Sequence, residues 1–317
     1  MKDSKTSYRQ MVKSTSIFGG VQLLNILISL VKSKFIALWI GPAGVGMIGL
    51  FNAAINLVSG FTNAGIETSG VKAISTSEKV PDLLAREFSV LKRLTWISCI
   101  LGVVVIALLS PVLSRISFGN EKYTLAFVLL SLTLLFRQLT TGNLVLLQGL
   151  SKIQFLAKAN LYGNILGLLI SLPLYYFLKI DGIVPSIILS SLAAMSLAYY
   201  FGGRIKIANV KLSHKEVITE GRHLIVLGFS LSLIGLLTTL SSYLLQVFIS
   251  HYKGVTEVVF YTAAITILNT YVGIIFTAMA TDYYPRLTKI CSDNVQVKKL
   301  VTEQSVIAVL LLTPIVV

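Results

Sequence analysis

Eight stretches of this 317-residue chain are long and apolar enough to cross a bilayer, and they constrain its fold more than any motif does. They run over 15–40, 44–70, 94–114, 123–148, 155–178, 182–203, 223–250 and 256–281. A membrane helix needs about 20 mostly apolar residues, whereas barrel strands would show alternating segments of about ten. The windows therefore predict helices. A ninth begins near 301, and its "SVIAVLLLTPIVV" is too short to finish a crossing, so the sequence reads as the leading part of a longer protein. No soluble domain fits between the windows, and only 13% of residues are charged, against about 25% in a soluble domain. The expected class is an all-α polytopic membrane protein.

Charge supplies the orientation. The chain holds 27 Lys and Arg against 13 Asp and Glu. Twenty of the 27 lie in the N-terminus and near the loops after the second, fourth, sixth and eighth windows, whereas the opposite loops hold only Arg115, Lys122, Lys179 and Lys253. The positive-inside rule then places the N-terminus in the cytoplasm. Its basic residues Lys2, Lys5, Arg9 and Lys13 precede an apolar run too long for a signal-peptide core and without a small-residue cleavage site, so the first span is retained. The basic loops, including "RIKIANVKLSHKEVITEGRH" (204–223), set topology and touch anionic membrane lipid; no nucleic-acid partner is expected. Cys99 and Cys291 have neither metal-ligand spacing nor a disulfide framework. No metal, cofactor or catalytic residue is expected.

The first two windows resemble the seventh and eighth at an offset of 210: Gly44 falls on Gly254, Val45 on Val255, and "NAAI" (52–55) on "TAAI" (262–265). Six spans separate the copies, so the repeat is parallel, about an axis along the membrane normal. Two pseudo-symmetric six-helix lobes around a central cavity are expected: 1–203 as the first, 204–222 as a basic cytoplasmic loop, and 223–317 as an incomplete second.

Residues three or four apart share a helix face. Asn52, Asn56, Ser59, Asn63 and Glu67 form a polar stripe on the second window, and its repeat offers Thr262, Thr266, Asn269, Gly273 and Thr277. Gln22, Asn25, Ser29 and Lys32 share a face of the first; Thr133, Arg137, Thr140, Thr141 and Gln148 mark the fourth, and Asn160, Asn164, Gly167 and Ser171 the fifth. Small and hydroxylic residues also serve helix packing, but Asn and Arg turned toward lipid would cost several kcal/mol. The stripes point to a water-accessible cavity. Lys32, Lys34 and Arg137 are the basic residues inside spans, where a central Lys costs roughly 2.5–3.5 kcal/mol. Lys32 lies on the polar stripe, whereas Lys34 is about 200° around the helix, among leucines, where it would snorkel. With no intramembrane acid to neutralise them in their own helices, these cations call for an anionic ligand.

"KFIALWIGPAGVGMIGLFNAAINLVSGFTNAGI" (34–66), with Lys72 beyond it, and "NLVLLQGLSKIQFLAKAN" (143–160) resemble the polysaccharide-transport branch of the multidrug/oligosaccharidyl-lipid/polysaccharide exporters. Within that branch the sequence looks most like Wzx-type O-antigen and enterobacterial common antigen lipid flippases, over essentially the whole chain. The resemblance implies twelve or more spans in the bacterial inner membrane. It also implies alternating access, and transfer of a polyprenyl-diphosphate-linked oligosaccharide from the cytoplasmic to the periplasmic leaflet, with the polysaccharide polymerase machinery as a partner. A basic residue seven before the turn glycine belongs to that pattern and falls on Lys34, whereas the helical wheel favours Lys32. A bend near the outer end of the helix would bring both inward.

The chemistry fits that cargo. Lys32, Lys34 and Arg137 suit a diphosphate, and Asn25, Asn52, Asn56, Asn63 and Asn269 suit sugar hydroxyls. Return of the empty carrier would use a proton or sodium gradient, with Glu67 and Asp282 as the carboxylates. The rival readings are a membrane glycan polymerase or glycosyltransferase, and another exporter of the superfamily, for lipid II-type or small-molecule cargo. An enzyme of the first kind wants paired carboxylates, but the outer loops offer only Glu121, Asp181 and Glu257. A cation exporter would want buried acids where this chain has bases.

Overall fold

The computed structural model of the chain describes residues 2–63, 65–78, 80–205, 207, 210, 214–269, 273 and 294–316. Among the described residues the regular structure is helical throughout: α1 (Lys2–Asn63), α2 (Ile66–Ser77), α3 (Pro81–Phe118), α4 (Thr124–Gly149), α5 (Ile153–Leu178), α6 (Ile183–Gly202), α7 (His214–Lys253), α8 (Val258–Ile267) and α9 (Asn294–Val316). A 3₁₀ turn, Lys179–Gly182, joins α5 to α6. Among the described residues, five stretches are long and apolar enough to cross a membrane, Leu24–Asn63, Pro81–Phe118, Thr124–Gly149, Ile153–Gly202 and Ser232–Lys253. The first is broken at Gly41 and the fourth at the Lys179–Gly182 turn.

The break in α1 is at Gly41, with φ 75° and ψ 178°, and Pro42 follows as the first residue of the second half. Glycine takes positive φ without steric cost, and proline is preset for the first helical position. The corner therefore falls where the first two windows were expected to part. The second window ends sooner than expected, at Asn63 instead of 70, because Gly65 is left-handed (φ 70°) and the chain restarts as α2. Other helices overrun their windows. α3 begins at Pro81, not 94, and packs Val90 and Leu91 against Ile66, Ile74 and Leu224. α7 begins at His214, so 214–222, expected as loop, is helical. Hydropathy measures the apolar length of a helix, whereas its hydrogen bonds continue through polar residues. α8 covers only the start of the eighth window, and most of the remainder, with Asp282, lies outside the described residues.

The chain divides into two compact units, 1–258 and 259–317. In the first, Phe51 of α1 meets Phe118, Tyr123 and Phe127 at centroid distances of 5.1, 6.1 and 5.2 Å. Leu130, Leu134 and Ile106 extend the same core. α7 packs on α3, where Ser117 Oγ and Tyr243 Oη lie 3.0 Å apart and Ser250 Oγ donates to the Ser117 carbonyl at 2.9 Å. It also closes on Gly65, where an added Cβ would stand 1.9 Å from the Gly228 carbonyl oxygen. Gly65→Ala therefore combines left-handed strain of about 1–2 kcal/mol with a backbone clash. Its unfolding midpoint in detergent is expected at least about 3 °C below wild type; an unchanged midpoint would show that α7 yields there.

Candidate binding cavity

The polar stripes converge within the first unit. Small residues start the arrangement: Gly163 and Gly167 of α5 let α6 approach until Cβ atoms built on them would lie 3.5 and 3.4 Å from Ala194 and Ser190. Ser190 Oγ fastens this contact by donating to the Gly167 carbonyl at 3.2 Å. The first half of α1 is tied to α5 by Asn164 Nδ2 donating to Asn25 Oδ1 at 2.9 Å, and by Trp39 meeting Tyr176 edge-on at 5.4 Å. The second half, turned back at Gly41, is tied to α4 by Arg137 Nη1 donating to Asn56 Oδ1 at 2.8 Å.

These four helices enclose a cavity of about 630 Å³. Asn25, Ser29 and Lys32 line it from one half of α1, and Asn56 and Ser59 from the other. Arg137, Thr140 and Thr141 come from α4, Asn164 and Gly167 from α5, and Ser190 and Ser191 from α6. Lys32 is nine residues before the Gly41 corner, about 13 Å along the helix, and Arg137 is thirteen residues beyond the start of α4, about 20 Å. With those helix ends set at the edge of a hydrocarbon core about 30 Å thick, both cations would fall well inside it.

Among the described residues the lining contains no acid. Lys32 has no hydrogen bond or ion pair with a described residue, and Arg137 spends one of its five donors on Asn56. Around them the hydroxyls are acceptors, because Thr140 donates to Phe136 O at 2.8 Å and Ser191 to Ile187 O at 2.8 Å, leaving lone pairs free. Asn56 keeps its amide N–H groups, and the Asn25–Asn164 pair keeps one amide nitrogen and one carbonyl oxygen. Such a chamber can hold an anion on Arg137, oriented by Asn56, and on Lys32 while exchanging hydrogen bonds with a hydroxyl-rich group.

Of the residues expected at the site, Lys32, Arg137, Asn25 and Asn56 meet here. Lys34 is exposed and outside the lining. Asn52 turns its amide to its own helix, donating to Ile48 O at 3.0 Å, and Asn63 is half-buried away from the cavity. Asn269 is an exposed residue of the second unit, and Glu67 is exposed in the first turn of α2. Asp282 lies outside the described residues. The α6 wall, Ser190, Ser191 and Ala194, was missed; the signal was the run of small residues in "SSLAA" (190–194), which reads equally as packing.

A family model described as "Polysaccharide biosynthesis protein" matches residues 35–317. None of the curated proteins matches the chain in sequence. Two solved structures share its fold. One, the MATE multidrug transporter DinF-BH in a ligand complex, is 13% identical with a TM-score of 0.65, over 95% of this chain and 70% of that one. The other, named protein A, is 14% identical with a TM-score of 0.60, over 80% of this chain. The present chain spans 60% of that protein's length.

Proposed function

Because the chain belongs to the polysaccharide biosynthesis protein family, we propose that it is a transporter moving polyprenyl-diphosphate-linked oligosaccharide from the cytoplasmic to the outer leaflet of the bacterial inner membrane. The observation that carries this reading is the cavity itself: two cations deep within membrane-length helices, with no acid among the described lining residues, ringed by amides and hydroxyls. A diphosphate leaving water needs charged partners, because its desolvation is otherwise uncompensated. Arg137 and Lys32 supply them, and the ring of Asn, Ser and Thr receives sugar hydroxyls. The polyprenyl tail stays in lipid. Two lobes, the second begun at 223, rock to expose the cavity alternately, and a proton or sodium gradient acting through carboxylates such as Glu67 and Asp282 resets the empty carrier. The oligosaccharide is then available to polymerase machinery on the outer face. A cationic small molecule suits this lining poorly, since it would face two like charges.

The test is genetic and chemical. A strain lacking the gene should accumulate the lipid-linked oligosaccharide in its inner leaflet and lose surface glycan, and the full-length gene should reverse both. Surface glycan at wild-type level in the deletion strain, with no accumulation, would overturn the reading.

The direction of transport depends on orientation, which the distribution of Lys and Arg supports. In a background lacking Cys99 and Cys291, Lys122→Cys, at an exposed position between α3 and α4, should react with an impermeant thiol reagent in intact cells. Glu78→Cys, exposed between α2 and α3, should react only after the membrane is opened. The reverse pattern would invert the direction.

A further inference from the structure

α4 borders a second cleft, unlike the first. Arg137, Thr140 and Thr141 line the polar cavity, whereas Leu139, Gly142, Asn143 and Leu146 floor a space of about 650 Å³ between α3 and α6. Its walls are Phe88, Leu91 and Trp96 from α3, and Met195 and Tyr199 from α6, and among the described residues Lys92 is the one charged residue of its lining. The floor is deep because it is glycine: a Cβ at Gly142 would meet the Thr95 methyl at 3.0 Å, and one at Gly202 would meet Asn143 Oδ1 at 2.8 Å.

The cleft lies at the ends of α4 and α6 that lead into the basic loops, reaching Leu146, Gly203 and Ile205. Trp96 and Tyr199 are 46% and 70% exposed there, as suits amphipathic rings at headgroup depth. Arg204, one residue along from the lining, rests its guanidinium over Tyr200 and Phe201 at 4.6 and 5.7 Å and bonds the Tyr200 hydroxyl. Lys92, one turn from Trp96 on the basic side, is exposed and makes no ion pair with a described residue. Asn143 donates to Leu139 O at 2.9 Å, and its side-chain oxygen accepts from no described residue.

We propose that this cleft is a binding site for one anionic phospholipid of the leaflet on the basic side, with an acyl chain in the trough and the headgroup phosphate on Lys92. The apolar walls suit an acyl chain, and the exposed rings of Trp96 and Tyr199 suit the headgroup boundary. One ammonium matches the single charge of a phosphodiester. A lipid-linked diphosphate would leave a charge unmatched, and its sugars would meet mainly Phe, Leu, Met and Trp. The bound lipid would bridge α3 and α6 across α4. This site is independent of the cargo assigned to the polar cavity.

The test is lipid retention by the purified chain in neutral detergent, read by native mass spectrometry with phosphatidylglycerol, phosphatidylcholine and undecaprenyl diphosphate. Wild type should retain phosphatidylglycerol about fivefold better than phosphatidylcholine, the preference one surface-level cation supplies. Lys92→Glu should abolish that preference, Lys122→Gln should keep it, and Met195→Trp should lower retention of both phospholipids by filling the trough. Equal melting temperatures of the variants in lipid-free detergent show that the fold is intact, and only variants meeting that condition are compared. Equal retention of the two phospholipids by wild type, an unchanged preference in Lys92→Glu, or loss of undecaprenyl diphosphate instead of phosphatidylglycerol in Lys92→Glu would each overturn the assignment.

Discussion

Arg137→Ala is expected to lower glycan export about a hundredfold or more at unchanged protein level, the largest effect of any alanine substitution in the cavity lining. Arg137 is the fourteenth residue of the 26-residue α4, lines the polar cavity and is oriented there by Asn56. Removing one partner of a desolvated ion pair costs about 3–5 kcal/mol, because the other charge is left without compensation. In the proposed transport step the other charge is the diphosphate. Arg137→Glu should be worse than Ala, since it adds repulsion to the loss. Arg137→Lys should restore export only in part: an ammonium supplies charge but lacks the planar fork that can hold Asn56 and a phosphate together. The measurement is export normalised to membrane-inserted protein, and near-normal export from Arg137→Ala would remove the anion-binding role.

Lys32 and Lys34 should separate sharply in the same assay. Lys32→Ala is expected to reduce export at least about tenfold, the cost of a charged hydrogen bond of roughly 1.5–3 kcal/mol, while Lys32→Arg keeps a cation in place. Lys34→Gln should export normally, because Lys34 is exposed beyond the cavity lining. Full export from Lys32→Ala together with loss in Lys34→Gln would transfer the anion-binding role to Lys34. That is the position favoured by family resemblance over the helical wheel.

Much of this site was legible because its rules are local. Asn25, Ser29 and Lys32 recur at helical spacing, and the wheel alone put them on one face; Arg137, Thr140 and Thr141 do the same on α4. The Gly41–Pro42 corner was legible too, since that dipeptide carries its backbone preferences wherever it stands. Helix lengths were less so. α3 gains its extra turns with contacts such as Leu91 against Ile66 and Ile74, which join residues of separate helices.

What the sequence determined by itself was therefore the class, the helices and the face each helix would give to polar groups, because apolar length and a 3.6-residue period are properties of single segments. What became of each polar face was decided only by the tertiary structure. Thr133 lies one turn from Arg137 on the same stripe, yet it is fully buried, and its hydroxyl has no partner among the described residues. Gln138, next to Arg137 in the chain, is also sealed, donating to Thr62 Oγ1 at 3.1 Å. Asn52 and Asn56 share a stripe, but Asn52 bonds its own helix and Asn56 holds the arginine. A polar face becomes a packed interface or the wall of a chamber according to how closely the next helix approaches. Here that distance is set by glycines and serines on α5 and α6, more than a hundred residues along the chain from the asparagines of α1 that share the chamber with them.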